Sequence, residues 1–573
     1  MSASSGIGGS LREKGGTQAQ VGGVPNLTHR QIVTVLAGLM MGMLVAALSQ
    51  TIVATALPTI VGELGGQEQL AWVVSATLLA ATASTPIWGK LSDLYGRKIM
   101  FQSAIGIFLV SSLASGFAQN MAQLIGFRAA MGLGIGGLMA LSQAIIGDVV
   151  SPRERGRYQG YIGAVFGLAT VAGPLLGGFL VEHLSWRWTF WVGIPIGLAA
   201  LVVTERVLQL PYPRRQHSID WMGAFYIVAG VSALLLVLSL GGKEFPWNSP
   251  WTYGLLGLAA VMLVLLVRQE RRTTEPIMPP RLFANHTFVI TSLASFAIGV
   301  ALFGAIIFLP QYLQIVKGSS PTASGLQTLP LIAGLLLTSI GSGRLITRTG
   351  RYKIFPLVGL LVATLGVALM SQMSVGTSLW QAGIYMFITG AGIGMVLQVL
   401  VLIAQNAVSQ YDLGVATSGA TFFRSLGGAM GVAVFGALLT HRLLDTIPAR
   451  LEAAGVPFSQ LQGSATQATP EQIANLPANI HLAVITGFAE ALQTTFLAAV
   501  PFTLIGFVIL LFLRETPLRQ TRGHVAEEDL GVAFETAVDP DAHLDDENFA
   551  SAEATRPRQP RWIDGDRSTG RRP

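Results

Sequence analysis

Residues 89–98 read G-K-L-S-D-L-Y-G-R-K, and a long apolar run lies on each side of them. Both flanks are long enough to cross a bilayer, so this polar stretch predicts a tight hinge at a membrane surface. Gly89 and Gly96 suit such a turn because only glycine takes positive φ freely. Asp93 and Arg97 stand four residues apart, a spacing that lets them pair where the backbone is helical.

The composition places the whole chain in a membrane. Of its 573 residues, 51% are hydrophobic and only 12% are charged, and the mean hydropathy is +0.57. Soluble domains carry about 25% charged residues. In a polytopic membrane protein, a formal net charge of +6 does not indicate nucleic-acid binding. The chain has no cysteine and therefore no disulfides.

The sequence predicts an all-α membrane protein with fourteen transmembrane helices. Helices rather than strands follow from the length of the apolar runs and from the need to pair every backbone group within lipid. The predicted spans are 32–57, 70–89, 99–118, 122–146, 157–181, 187–208, 221–241, 251–267, 287–315, 322–343, 354–373, 379–402, 414–440 and 487–513.

The loop cations predict the orientation. One set of connecting loops holds sixteen Lys and Arg residues, and the opposite set holds five. The positive-inside rule then places the cation-rich loops and both termini in the cytoplasm. Residues 1–31 form a cytoplasmic N-terminal tail in this scheme, residues 441–486 an extracytoplasmic loop, and residues 514–573 a disordered cytoplasmic tail with too little apolar surface to fold alone.

Part of the sequence repeats. Residues 343–353, G-R-L-I-T-R-T-G-R-Y-K, echo residues 89–98, with Thr347 at the position of Asp93. Likewise G-L-G-I-G at 132–136 returns as G-A-G-I-G at 390–394. The repeat predicts two related six-helix bundles with a central site between them. These bundles are residues 32–208 and 287–513, and residues 221–267 supply two intervening helices.

The pattern G-x-L-x-D-x-x-G-R-K of residues 89–98 resembles the signature of the major facilitator superfamily. The 6 + 2 + 6 arrangement resembles the fourteen-helix drug:proton antiporters, which include exporters of the Emr and Qac type. The resemblance implies a transporter in the cytoplasmic membrane, surrounded by membrane lipids, that exports small lipophilic compounds in exchange for protons and needs no cofactor. We expect a monomer, and the sequence does not establish the oligomeric state.

The fifth predicted span carries a run of helix-packing residues. They follow the pattern G-x-x-x-G and then G-P-x-x-G-G, namely Gly163, Gly167, Gly173, Pro174, Gly177 and Gly178. Small residues at this spacing let helices approach closely. The run resembles the antiporter motif of drug exporters, and ordinary glycine packing is the alternative.

Two further features resemble family motifs. In the fourth span, Arg128 with the glycines after it resembles R-x-x-x-G-x-G, which the family links to proton transfer; the alternative is a structural cation bonded to backbone carbonyls. On the outer side, Trp186, Arg187 and Trp188 resemble a family marker, and the two Trp rings also suit interfacial anchors.

Asp148 ends the fourth span on the same surface as the hinge stretch. We expect a salt-bridged cluster of Asp93, Arg97 and Asp148 that locks this side and acts as a conformational switch. Solvated loop charges are the alternative. Lys98 completes the candidate hinge motif.

The first span departs from the family pattern. In the stretch L-S-Q-T at 48–51, Ser49 stands where the resembling exporters have an acid that binds protons and cations. We therefore take Ser49, Gln50, Arg128 and Glu490 as candidates for the cavity or for proton coupling. Permanent dications should be poor substrates, because a buried cation needs a counter-charge.

Other function classes fit less well. An exporter of an endogenous metabolite or lipid remains open, as does a membrane sensor without transport. We see no metal-ligand cluster, nucleotide loop or catalytic triad pattern, so the sequence predicts neither an enzyme nor a direct user of ATP.

Overall fold

A computed structural model describes residues 29–518 apart from 66–68, 151, 209–219, 243–244, 457–472 and 474. Most of the predicted N-terminal tail, the middle of the predicted 441–486 loop and nearly all of the predicted C-terminal tail lie outside the described residues.

The described chain is built from helices. The first nine are α1 (His29–Leu64), α2 (Leu70–Tyr95), α3 (Arg97–Gly116), α4 (Met121–Val149), α5 (Pro152–His183), α6 (Trp188–Trp191), α7 (Gly193–Val207), α8 (Trp221–Leu240) and α9 (Pro250–Glu270). The remainder are α10 (Pro280–Ala284), α11 (His286–Gln311), α12 (Pro321–Gln327), α13 (Leu329–Thr349), α14 (Ile354–Met370), α15 (Leu379–Asn406), α16 (Leu413–Ala453) and α17 (Ala478–Leu511). A π-helical turn, Tyr312–Val316, extends α11.

Twelve helical segments within the described residues are long and apolar enough to cross a membrane. The shorter apolar helix α14 is a thirteenth. The remaining predicted span, 70–89, lies in α2, which is 26 residues long but is not among the twelve. The helical class of the chain is confirmed, and the full count of fourteen stays a prediction.

Two groups of helices each enclose an apolar core. In the N-terminal bundle, α2 packs against α4 and α1 against α5. In the C-terminal bundle, α13 packs against α15 and α11 against α16. Leu39, Phe101 and Ile135 are fully buried in the first core, and Tyr312, Phe435 and Phe496 in the second. The contact of α2 with α4 in the first bundle corresponds to the contact of α13 with α15 in the second. This correspondence agrees with the sequence repeat.

The intervening helices α8 and α9 form a hairpin beside both bundles. α8 contacts α2 of the first bundle and α16 of the second. Leu235 is fully buried in a cluster with Leu79 of α2 and Ala429 of α16. α8 therefore lies along the seam between the bundles, whereas α9 exposes an apolar face that includes Trp251 and Val264.

The helices on the two sides of the predicted 441–486 loop extend into it. α16 runs for 41 residues to Ala453, past the predicted span end at 440, and α17 already begins at Ala478. The first and last parts of the predicted 441–486 loop are therefore helical. Ile447 and Val484 are fully buried, so burial of apolar side chains between the two helices stabilises these extensions.

Candidate functional site: the contact between the bundles

The stretch 89–98 is not a loop. α2 continues through it to Tyr95, and α3 begins at Arg97, so Gly96 alone separates the two helices. Gly96 has φ 95°, which disfavours side chains other than glycine. We name this end of the molecule the hinge face. Asp93 lies in the last turn of α2 and Arg97 is the first residue of α3, so a contact between their side chains spans the turn at Gly96 rather than one continuous helix.

Arg97 lies between two carboxylates. Its Nη1 atom is 2.6 Å from Asp93 Oδ1, and its Nε atom is 2.6 Å from Asp148 Oδ2. Arg97 also donates a hydrogen bond to Ser92 Oγ. Both partners of the Asp93–Arg97 pair have side chains that are only 9% exposed. The residues of the predicted cluster are thus brought together in a partly dehydrated position, where charge pairs interact more strongly than in water.

Asp93 also reaches the other bundle. Its carboxylate accepts hydrogen bonds from the backbone N–H of Gly414 at 3.3 Å and of Val415 at 3.0 Å. These groups belong to the first turn of α16, where four N–H groups lack helical partners and the helix dipole favours a negative charge. Nothing in the sequence indicated this contact, because its two sides are about 320 residues apart along the chain.

The close approach of α2 and α16 depends on glycine. A Cβ atom on Gly89 would stand 2.0 Å from Ser418 Oγ, and one on Gly414 would stand 2.4 Å from Arg97 Nη1. Either side chain would push the helices apart at the position where Asp93 binds α16. Lys98 points elsewhere and pairs with Glu205 of α7 at 3.0 Å, within its own bundle.

A second polar contact joins the bundles nearby, and the sequence analysis missed it. Arg155 donates to the backbone carbonyl of Val150 at 2.9 Å and to Gln405 Oε1 of α15 at 3.2 Å. Gln405 in turn donates to the Gln143 carbonyl of α4 at 3.0 Å and to Thr417 Oγ1 at 3.1 Å. Together with Asp93, these groups close the hinge face across the bundles.

The second copy of the hinge is built differently. Gly350 has φ 73° and ends α13, as Gly96 ends α2. Thr347 hydrogen bonds to the Gly343 carbonyl of its own helix at 2.9 Å. The acid near this turn is Glu515, which accepts the N–H groups of Tyr352 and Lys353 at 2.7 and 3.1 Å. Glu515 therefore ties the turn after α13 to the segment that follows α17, in the same bundle.

The predicted antiporter glycines line two helix contacts of α5. Cβ atoms on Gly163 and Gly167 would stand 3.2 Å from Leu335 and 2.5 Å from Ile332, both on α13 of the other bundle. A Cβ on Gly173 would stand 2.1 Å from Thr51 Oγ1 of α1. Thr51 in turn donates to the Ala169 carbonyl at 3.0 Å.

The rest of this run is less constrained. Pro174 lies inside α5, and Gly177 is buried. A Cβ on Gly178 would meet nothing within 4 Å.

Arg128 is only 2% exposed and lies against α2. Its Nε atom donates to the Val73 carbonyl at 3.0 Å, and Thr77 donates to the Arg128 carbonyl at 3.1 Å. Its Nη1 atom is buried and has no hydrogen-bond partner among the residues that the structure describes. The carbonyl contact fits the structural alternative.

The other cavity candidates lie apart from Arg128. Ser49 donates to the Ala46 carbonyl of its own helix at 3.3 Å, as Gln50 does at 3.4 Å. Leu48 and Ile52 of this part of α1 belong to an apolar cluster, against which Met139 and Phe166 pack. Glu490 forms an ion pair with Arg450, which links α17 to the extension of α16.

The predicted anchor role is wrong for Trp186. That ring is 1% exposed and donates to Glu63 Oε2 at 2.7 Å, whereas Trp188 is 45% exposed. Arg187 pairs with Glu63 Oε1 at 2.5 Å and lies over the Trp186 ring. The hydrogen bonds from Arg187 and then from Trp186 lower the pKa of the Glu63 carboxyl. This cluster fastens the end of α1 to the α5–α6 connection.

Comparison with known proteins agrees with this architecture. The family model of the Major Facilitator Superfamily matches residues 39–432. The chain is 43% identical to the uncharacterized MFS-type transporter Rv1877 of Mycobacterium tuberculosis, over 87% of this chain and 72% of that protein. It is 36% identical to the multidrug transporter protein MdtP of Bacillus subtilis, over 86% of this chain and 95% of that protein.

Solved structures share the fold at low sequence identity. The human organic anion transporter MFSD10 superposes with a TM-score of 0.56 at 15% identity, covering 84% of this chain and 99% of that one. The proton:xylose symporter XylE gives 0.57 at 12% identity, covering 86% and 97%. With paired bundles, a polar contact between them and a family match over more than half its length, this chain belongs to the major facilitator superfamily of membrane transporters and is not an enzyme.

Proposed function

We propose that this protein exports small lipophilic molecules across the cytoplasmic membrane in exchange for protons, by alternating access of its two bundles. Two relatives from Bacillus subtilis are named for multidrug transport or resistance, at 36% and 33% identity. The antiporter-type packing of α5 on α13 and α1 supports the same direction of transport. The proposal includes fourteen spans and a functional monomer.

The contact of Asp93 with α16 carries this proposal. An alternating-access transporter needs an element with two discrete arrangements that both bundles share. Here Asp93, which pairs with Arg97 in the first bundle, also caps α16 of the second bundle. The bundles cannot part on the hinge face without breaking the hydrogen bonds from α16 to Asp93. In the orientation that the loop cations favour, this state is closed toward the cytoplasm.

The surroundings of Ser49 suggest the charge of the substrate. Apolar side chains pack around this part of α1, and Ser49 stands where the resembling exporters have an acid. An unpaired cation is costly in such surroundings. Neutral and anionic lipophiles should therefore be transported better than dications.

Transport by the purified protein in proteoliposomes tests the proposal. The lumen is loaded at a pH different from the bath, and neutral, anionic and cationic lipophiles are compared with and without the pH gradient. We expect the pH gradient to drive transport of neutral or anionic compounds. A protonophore, which collapses the gradient, should stop this transport. Gradient-independent movement of every compound would exclude proton antiport, and preferred transport of dications would exclude the proposed substrate class.

A further inference from the structure

The chain that connects α9 to α11 crosses the seam between the bundles on the hinge face. We name residues 275–285 the strap. It is distinct from the hinge motif and contacts both bundles. Its role is independent of which substrate is carried, so it goes beyond the proposed function.

The first end of the strap holds the N-terminal bundle. Glu275 Oε2 lies 2.5 Å from Lys90 Nζ, at the end of α2. The Lys90 side chain is 12% exposed and that of Glu275 is 35% exposed, so the pair is partly shielded from water. Shielding makes such a pair stronger than one on an open surface.

The middle of the strap is inserted into the seam. Ile277 and Met278 are 2% and 8% exposed, and Ile87 of α2 and Phe423 of α16 pack against their cluster. The Glu270 carboxylate accepts the N–H groups of both inserted residues at 3.2 Å. This bonding folds the strap back on the end of α9 and fixes the insertion.

The far end of the strap holds the C-terminal bundle. Arg281 Nη2 lies 2.6 Å from Asp412 Oδ1, in the residue directly before α16. Asn285 donates to the Ala407 carbonyl at 2.7 Å and caps the first turn of α11. The strap therefore ends beside the same turn of α16 that binds Asp93.

We propose that the strap is a latch that stabilises the closed hinge face, and that Lys90–Glu275 is the contact that opens. The strap continues covalently into α11 and is capped there, so its far end moves with the C-terminal bundle. Its hold on α2 consists of an ion pair and apolar contact, both of which are reversible. When the bundles part, Lys90 leaves Glu275 while Arg281 keeps Asp412.

A cysteine reporter tests this latch, since the chain has no cysteine of its own. Gln143 is 1% exposed, and its backbone meets Gln405 of the other bundle. Gln143→Cys in purified protein should therefore react with a fluorescent maleimide only when the hinge face opens. Lys90→Glu and Glu275→Lys are each added to this reporter, as is the combined charge swap.

We expect each single change to raise the labelling rate roughly two- to tenfold, and the swap to return it toward the parent rate. Met278→Ser should also raise it, through the apolar part of the latch. Asp445→Asn is the matched control, because it removes a carboxylate on the α16 extension, away from the strap. This change should leave the labelling rate unaltered. Unchanged labelling in both single variants, or a swap that labels as fast as they do, would overturn the latch. A monodisperse elution profile separates opening from unfolding, and Glu275→Gln replaces any variant that fails it.

Discussion

The carboxylate of Asp93 binds the backbone N–H of Val415 at 3.0 Å, across the boundary between two bundles. The same carboxylate pairs with Arg97 inside its own bundle. One side chain thus joins a charge pair within the first bundle to the positive end of a helix in the second. Any change in the position of Arg97 alters the attachment of α16.

Replacement of Asp93 by Asn should reduce transport at least about tenfold while the protein remains in the membrane. The change removes the negative charge that binds the first turn of α16 and leaves Arg97 paired with Asp148 alone, so it weakens the contact between the bundles. Initial rates of uptake into inside-out vesicles measure the effect, normalised to the amount of protein in the membrane.

The matched control for that experiment is Thr347→Asn in the second hinge copy. Thr347 carries no charge, so its replacement leaves no ion unpaired, and we expect a change of less than about twofold. Equal loss in both variants would contradict the asymmetry between the two copies.

Gly173→Ala should lower both the thermal stability and the transport rate. The new Cβ would overlap Thr51 Oγ1, and overpacking of this kind costs about 1–3 kcal/mol. Gly178→Ala, in the same run but with no neighbour within 4 Å, should be nearly neutral. The melting temperatures of the purified variants compare the two directly, and equal melting temperatures would show that α5 and α1 do not need this close contact.

Ser49→Asp should increase transport of monovalent cations and make it depend more strongly on pH. A carboxylate at this position supplies the counter-charge that the apolar surroundings lack, and it exchanges a proton with the cation. Ser49→Asn is the control, because Asn has nearly the size of Asp but carries no charge. This variant should leave cation transport unchanged. Vigorous dication export by the unmodified chain would disprove the premise.

The proposed orientation places the extension of α16 outside the cell and the second hinge inside. Ala454→Cys and Thr349→Cys lie at exposed positions in these two regions. In intact cells, an impermeant maleimide should label Ala454→Cys, whereas Thr349→Cys should react only after permeabilisation. Labelling of both sites in intact cells would reject this topology.

Much of the fold was accessible from the sequence because long apolar runs in a bilayer have few alternatives to helices. The repeat of residues 89–98 at 343–353 indicated two bundles, and the spacing of Asp93 and Arg97 indicated their pairing. These predictions rest on local patterns, and the pairing holds because the tight turn at Gly96 places the first residue of α3 beside the last turn of α2.

Contacts between the bundles could not be predicted from such local patterns. Asp93 binds backbone atoms of α16, and backbone groups leave no mark in a sequence. In the sequence, Gln405 is one polar residue among several near the ends of spans. Its role becomes visible only in the structure, where α15 brings it to the Gln143 carbonyl of α4. The burial of Trp186 was missed for a similar reason, because Glu63, its partner, lies on another helix.

The length of α16 has a mechanical consequence. At 1.5 Å per residue, its 41 residues form a rod about 60 Å long. Asp93 grips one tip of this rod, and Arg450 near the other tip is joined to Glu490 of α17. If α16 pivots near the end that Asp93 contacts, a tilt of about 10° moves its other end by about 10 Å. A small displacement at one membrane surface would then produce a large displacement at the other, as in a lever.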